Sequence, residues 1–160
     1  MEKIIFEYTI INNINALPVA EKQLLKAART CTKNAYAPYS NFKVGAAAIL
    51  KNGTIITGVN QENASYPTGI CAERTLLSAV GNLHPKNPIT ILAISYQNAT
   101  KTANKPISPC GICRQSLLEY SLRYGINIKV ILSGQTGDIY IFNDAKCLLP
   151  LQFNSDDLKG

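Results

Sequence analysis

The spacing of apolar and polar residues changes several times along the chain, and each change marks an element. Residues 3–11 alternate loosely among β-branched and aromatic types, which predicts a short additional strand or an ordered arm. From Pro18 to Tyr36, Leu24, Leu25, Ala28 and Cys31 recur at three- and four-residue steps, the spacing of one helix face. Ala37-Pro38-Tyr39-Ser40-Asn41 breaks that rhythm. Phe42–Leu50 and Thr54–Val59 read as two strands joined by Lys51-Asn52-Gly53. Asn-Gly between apolar runs is a hairpin signal, because both residues tolerate positive φ.

A polar loop over Asn60–Gly69 precedes a predicted helix from Cys71 to Gly81, closed by its glycine. Ile89–Tyr96 is apolar and β-rich, the mark of a buried strand. The polar loop Gln97–Ile107 leads to a second helix, Cys110–Tyr124, and then to strands Ile126–Leu132 and Asp138–Phe142. The connection Ser133-Gly134-Gln135-Thr136-Gly137 is too short for a crossover helix, so the last pair is expected to be antiparallel. The order predicts an α/β sandwich, a mixed five-stranded sheet covered by helices. No internal repeat, low-complexity tract or linker divides the chain, so residues 1–160 read as a single domain with 1–18 as its arm or extra strand.

Composition narrows the partners. With 46% apolar and 16% charged residues the chain has the profile of a compact globule. The formal charge of +6 raises the question of an anionic partner, yet the Lys and Arg residues are scattered with no basic run, which argues against nucleic acid. Glu2, Lys3 and Glu7 spoil any signal-peptide pattern, and no stretch has the length and purity of a membrane span. Five cysteines, an odd number in a chain unlike the small disulfide-dense scaffolds, point to a reducing cytoplasm and to thiols free for metal.

The chemistry concentrates in Cys71-Ala72-Glu73 and Pro109-Cys110-Gly111-Ile112-Cys113. Three thiolates would hold zinc and leave its fourth position open, whereas a closed structural knot needs a fourth Cys or His. The single histidine, His84, stands near Pro85 beyond the first helix of the pair, and Cys31 and Cys147 lack ligand spacing. Ser108 and Pro109 suggest an N-cap and a first helical residue, placing Cys110 and Cys113 in an opening turn, and Thr68 is a candidate cap for the other helix. On a mid-helix surface Cys71 and Glu73 would point about 200° apart, but around an open N-terminus they can converge on one ion. Helix N-termini also favour the thiolate form. Zinc with three thiolates keeps a net negative charge, which Arg74 and Arg114, directly following ligand-bearing segments, are placed to offset by donating hydrogen bonds to the sulfurs. Glu73 makes the site hydrolytic, since its carboxylate can carry protons between water and a substrate nitrogen.

These motifs resemble the zinc-dependent cytidine deaminase family in its small, all-cysteine subgroup, a class with a Cys₃ zinc variant. The resemblance runs from about Ala35 to Leu158 and rests on five segments in order. They are Ala35-Tyr36-Ala37-Pro38-Tyr39-Ser40-Asn41-Phe42-Lys43-Val44-Gly45-Ala46-Ala47, Gly58-Val59-Asn60-Gln61-Glu62-Asn63-Ala64-Ser65-Tyr66, the two metal motifs, and Leu148-Leu149-Pro150 with Phe153. It implies a three-layer sandwich with helices on both faces. It also implies Phe42 stacking on a pyrimidine, Asn60 and Glu62 on the ribose hydroxyls, and Tyr66 and Ala72 in the substrate site. Phe153 would be lent to a neighbouring subunit of a homotetramer. The implied reaction is hydrolytic deamination of cytidine or deoxycytidine by a zinc-activated water, with Glu73 as proton shuttle, in pyrimidine salvage.

Two features depart from the compact pattern: about 35 residues separate Glu73 from Pro109, and an arm of about 20 residues precedes the first helix. A deaminase of a modified or antibiotic nucleoside such as blasticidin S is the alternative within the same chemistry. A non-catalytic zinc-stabilised nucleic-acid module is the alternative from another class. Polynucleotide editors resemble a variant with a helix between the last two strands, so an antiparallel final hairpin favours a free nucleoside.

Overall fold

A computed structural model of the chain describes residue 1 and residues 3–159; Glu2, counted among the charges of the arm, and Gly160 lie outside the described residues. Six strands form one mixed sheet: β1 (Thr9–Ile11), β2 (Phe42–Leu50), β3 (Ile55–Val59), β4 (Ile89–Asn98), β5 (Lys129–Ser133) and β6 (Ile139–Phe142), in the order β1-β6-β5-β4-β2-β3. Among the described residues, β4–β5 is the one parallel pair of named strands. The β2–β3 and β5–β6 pairs are antiparallel, as their short connections require. The five-stranded expectation therefore gains a sixth strand. The arm pairs Thr9–Ile11 with β6, and Tyr8 stacks on Phe142 at 5.2 Å, so aromatic contact ties the arm to the sheet edge.

Helix α1 (Val19–Cys31) covers one face of the sheet, burying Leu24, Leu25 and Ala28 against Ala47, Ala93 and Ile131. The other face carries α2 (Ala72–Leu83) and α3 (Gly111–Tyr124), where Leu76, Val80 and Leu117 meet Ala46, Ala48, Leu92 and Ile94. Strand alternation makes this division: Ala46, Ala48, Leu92 and Ile94 face α2 and α3, while Ala47, Ile49, Ile91 and Ala93 face α1, and a register shift beside Leu50 turns Ile89 to the α2 and α3 side.

The helix ends differ from the expected ones. α1 stops at Cys31 and passes through a 3-10 turn, Thr32–Asn34, after which Ala35 is extended; Pro38 further on excludes a return to helix. α2 runs past Gly81 to Leu83, with His84 as its C-cap. An interior glycine costs about 1 kcal/mol and does not by itself end a helix, whereas Pro85 does. At the other ends, Cys71 and Cys110 are themselves the N-caps of α2 and α3, one step outside the first turn. Thr68 belongs instead to a 3-10 turn, Tyr66–Thr68, where its hydroxyl donates to the Ser65 carbonyl.

One glycine sets the distance between the sheet and α2. A Cβ on Gly58 would lie 2.5 Å from the Leu76 nitrogen and 2.6 Å from the Ala72 carbonyl oxygen. The opening of α2 thus rests directly on β3, which puts Cys71 and Glu73 at the end of the sheet. Replacement Gly58→Val should push α2 outward, costing about 1–3 kcal/mol by overpacking and lowering zinc content. Denaturant unfolding and metal analysis check this; wild-type stability with full zinc would disprove the close-approach role.

Candidate active site

The two N-cap cysteines and Cys113, in the first turn of α3, bring three sulfur atoms within 4.8 Å of one another. Cys71 Sγ lies 3.7 Å from Cys110 Sγ, and Cys110 Sγ lies 3.5 Å from Cys113 Sγ. Sulfurs at about 2.3 Å from a tetrahedral zinc stand about 3.8 Å apart, so the triangle fits that ion. Neither N-cap side chain bonds its own helix backbone; each sulfur faces outward from the helix start. Cys113 is buried, Cys71 half-buried and Cys110 exposed, which gives the triangle a dry side and an open side.

The thiols share their protons unequally. Hydrogen bonds from Cys113 and then Cys110 hold Cys71 down at about 6, against the effect of its burial, and the Arg74 charge works in the same direction. Cys113 is pushed up in exchange, first by its hydrogen bond to Cys71 and then by burial. One ligand is therefore ready as thiolate, the form a metal requires.

Arg74 acts on Cys71 through charge. Arg114 is engaged elsewhere than the sequence suggested: its Nε donates to the Pro109 carbonyl at 2.8 Å and Nη1 to the Leu148 carbonyl at 3.2 Å. It fixes the backbone just before Cys110 and ties it to the C-terminal segment.

Glu73 is buried, 4% exposed, in the first turn of α2, and that burial raises its carboxyl above the usual range. It opens into a cavity of about 350 Å³ that also takes in Phe42, Asn60, Glu62, Ala72 and the two outer cysteines. Five residues proposed from sequence, namely Phe42, Asn60, Glu62, Ala72 and Glu73, thus share one space with Cys71 and Cys110. Its volume lies in the range of small-molecule sites. A neighbouring cavity of about 480 Å³ shares Ser40, Asn60, Glu62 and Cys71 but not Glu73; Tyr66 lines it, edge-on to Tyr39 at 5.9 Å. Tyr66 is therefore beside the Glu73 cavity rather than in its wall.

The polar wall is well tied. Asn60 Oδ1 accepts from the Val44 N–H at 2.7 Å and its Nδ2 donates to the Phe42 carbonyl at 2.9 Å, clasping the edge of β2. Glu62 accepts from the Ser40 hydroxyl and from the Tyr39 N–H at 2.9 Å. Those donors, the hydroxyl foremost, hold its carboxyl below the usual range. Ser40, Val44, Ile107 and Ser108 line the cavity without having been singled out as site residues. Ser40 belongs to the Ala35–Ala47 segment, and Ser108 has the sequence position of an N-cap, which hides its place in the wall. The Phe153 ring is exposed and lines neither cavity, while its carbonyl accepts from Gln115 Nε2 at 2.9 Å.

A family described as the cytidine and deoxycytidylate deaminase zinc-binding region matches residues 19–126. The chain belongs to this family. Membership makes zinc the cofactor that Cys71, Cys110 and Cys113 are arranged to hold. A cytidine deaminase of Halalkalibacterium halodurans is 38% identical over 137 residues, 86% of this chain and 96% of that protein. One from Mycobacterium tuberculosis is 34% identical over 143 residues, covering 89% and 96%. Among solved structures, a cytidine deaminase from Burkholderia pseudomallei superposes with a TM-score of 0.69 at 38% identity, covering 82% of this chain and 97% of that one. The α/β fold with helices on both faces is thus that of the family.

Replacement Cys113→Ala should abolish stoichiometric zinc. Addition of a chelator should lower the Tm of the wild type, since zinc binds the folded state, and leave the variant's Tm unmoved. One zinc per chain in Cys113→Ala would remove that residue from the ligand set.

Proposed function

We propose that the chain is a hydrolytic deaminase of cytidine and deoxycytidine, releasing ammonia and the uridine product. The observation that carries this reading is the single cavity joining Glu73, Cys71 and Cys110 to Phe42, Asn60 and Glu62. Relatives named cytidine deaminase, aligned over most of the chain, support it. Among the described residues no helix is long and apolar enough to cross a membrane.

Zinc, when bound by Cys71, Cys110 and Cys113, supplies the Lewis acidity that makes a water nucleophilic near neutral pH. Glu73 takes the proton lost as water adds to C4 of the base and gives it to the ring nitrogen N3. It then carries the second proton to the exocyclic amine, so that the C4–N bond breaks and ammonia leaves. The carboxylate does this from a buried position, where bulk water does not compete.

Phe42 offers the base an aromatic face. Ala72 begins α2, and first-turn N–H groups have no intrahelical partner, so its N–H is free for an acceptor on the base. Asn60 keeps one N–H and one lone pair beyond its bonds to β2, and Glu62 keeps lone pairs beyond those used by Ser40 and Tyr39. Together they bind the sugar hydroxyls.

The reaction serves pyrimidine salvage in the cytoplasm, where the five free cysteines stay reduced. A homotetramer gives the exposed Phe153 ring a role, as a contribution to a neighbouring subunit's cavity.

Incubating the zinc-loaded protein with cytidine, deoxycytidine, cytosine, CMP and blasticidin S, and following ammonia release, tests the substrate. Turnover of the two nucleosides with none of cytosine or CMP is expected; turnover of blasticidin S alone would move the reading to the antibiotic. Glu73→Ala should keep its zinc while the rate falls by at least about 10²–10⁴, the worth of one proton-transfer role. Normal turnover in that variant would remove Glu73 from the mechanism.

A further inference from the structure

Phe42 does not stand alone in the cavity wall. Its ring is stacked on Tyr96 of β4, with centroids 4.9 Å apart and planes 19° from parallel. Tyr96 pairs with Val44, two residues along from Phe42, so the two rings are diagonal neighbours on the face that carries α2 and α3. Phe42 lines the cavity and Tyr96 does not, so Phe42 lies between Tyr96 and the space where a base would bind.

Tyr96 is in turn held from behind. Gln135 Nε2 donates to the Tyr96 carbonyl at 3.0 Å and reaches Ser95 Oγ at 3.4 Å. The turn carrying Gln135 is fixed by Arg29 of α1, which donates to the Gly134 carbonyl and to Ser133 Oγ, each at 3.0 Å. The 97–107 loop leaves the end of this strand and is docked on the same turn. Thr136 N–H donates to the Ala103 carbonyl at 3.2 Å, and a Cβ on Gly134 or Gly137 would run into the backbone of Ala103 or Asn104. The loop then returns to the site through Ile107 and Ser108, in the cavity wall.

Resting on the nucleoside reading above, we propose that Tyr96 is a positioning residue for substrate binding. It holds the Phe42 ring as a fixed plate, so that the base stacks without first immobilising it. An aromatic at a strand end with one ring face open would lose rotamer freedom when a ligand binds, and that loss weakens binding. Stacking on Tyr96 removes the freedom in advance.

The test is a kinetic split on the zinc-loaded enzyme. Tyr96→Leu keeps apolar bulk but removes the flat ring. It should raise KM for cytidine about 3- to 10-fold, the range of one aromatic pair, with kcat within about twofold. The competitive Ki of uridine should rise in parallel, which separates binding from chemistry. Tyr96→Phe should restore both constants. In a Phe42→Leu background, Tyr96→Leu should add less than about twofold, because the residue acts through Phe42. Unchanged KM and Ki in Tyr96→Leu, a fall confined to kcat, or effects that multiply in the double variant would each overturn the proposal. Failure of the wild type to deaminate any pyrimidine nucleoside would be a different result, overturning the functional reading and the role of Tyr96 with it.

Discussion

Negative charge gathered at one point is the constraint around which the molecule is arranged. Three cysteine sulfurs lie within 4.8 Å of one another, and a buried carboxylate follows the first of them by two residues. Such a set is tolerable only where positive potential is supplied from several directions. Two helix N-termini meet there, each with unpaired N–H groups and the positive end of a peptide dipole. Arg74 adds a full charge, and zinc the largest share. The formal charge of +6 treats the thiols as neutral and so exaggerates the basic character of the zinc-loaded protein.

Convergence of two helix starts needs a platform that holds both at the same level. α2 and α3 lie on one face of the sheet, and side-chain size controls their depth. Gly58 brings the start of α2 onto β3, while Ala46 and Ala48 keep the floor low beneath both helices. Gly45 performs the same service on the opposite face, where a Cβ would lie 2.7 Å from Cys31 Sγ of α1. Cys31 is thereby explained as packing: it is buried, and burial pushes its thiol up to about 11, the reverse of a ligand's requirement.

The features readable from sequence were those written in short-range patterns. The period-2 and period-3.6 runs marked α1, α2, α3 and the five longer strands, and the Cys-Ala-Glu and Cys-x-x-Cys spacings marked the zinc site. What escaped was set by partners distant in sequence. Ser108-Pro109 and Thr68 look like helix starts, which sets Cys110 two residues and Cys71 three residues too far into their helices until the loops before α2 and α3 are packed. Arg114 was paired with sulfur because it stands beside a ligand, yet the carbonyl of Leu148, 34 residues away, competes for it. Tyr96 gave no signal at all: in a buried apolar strand an aromatic reads as core. The loop that docks on Gly134 and Gly137 likewise reads only as polar until the last hairpin lies beneath it.

The cavity holds two carboxyls, Glu62 and Glu73, and their surroundings divide the labour between them. Glu62 is tied by the Ser40 hydroxyl and by backbone N–H groups, donors that stabilise its charged form and fix both oxygens in place. A group so held cannot swing between a water and two nitrogens, but it is well suited to receive hydrogen bonds from a sugar. Glu73 is buried, its charged form disfavoured, at the edge of the sulfur triangle. Of the two it is the one suited to the proton-carrying role proposed above. Two carboxyls pushed in opposite directions within one small space suit different tasks, which supports the binding role proposed for Glu62 and the acid–base role proposed for Glu73.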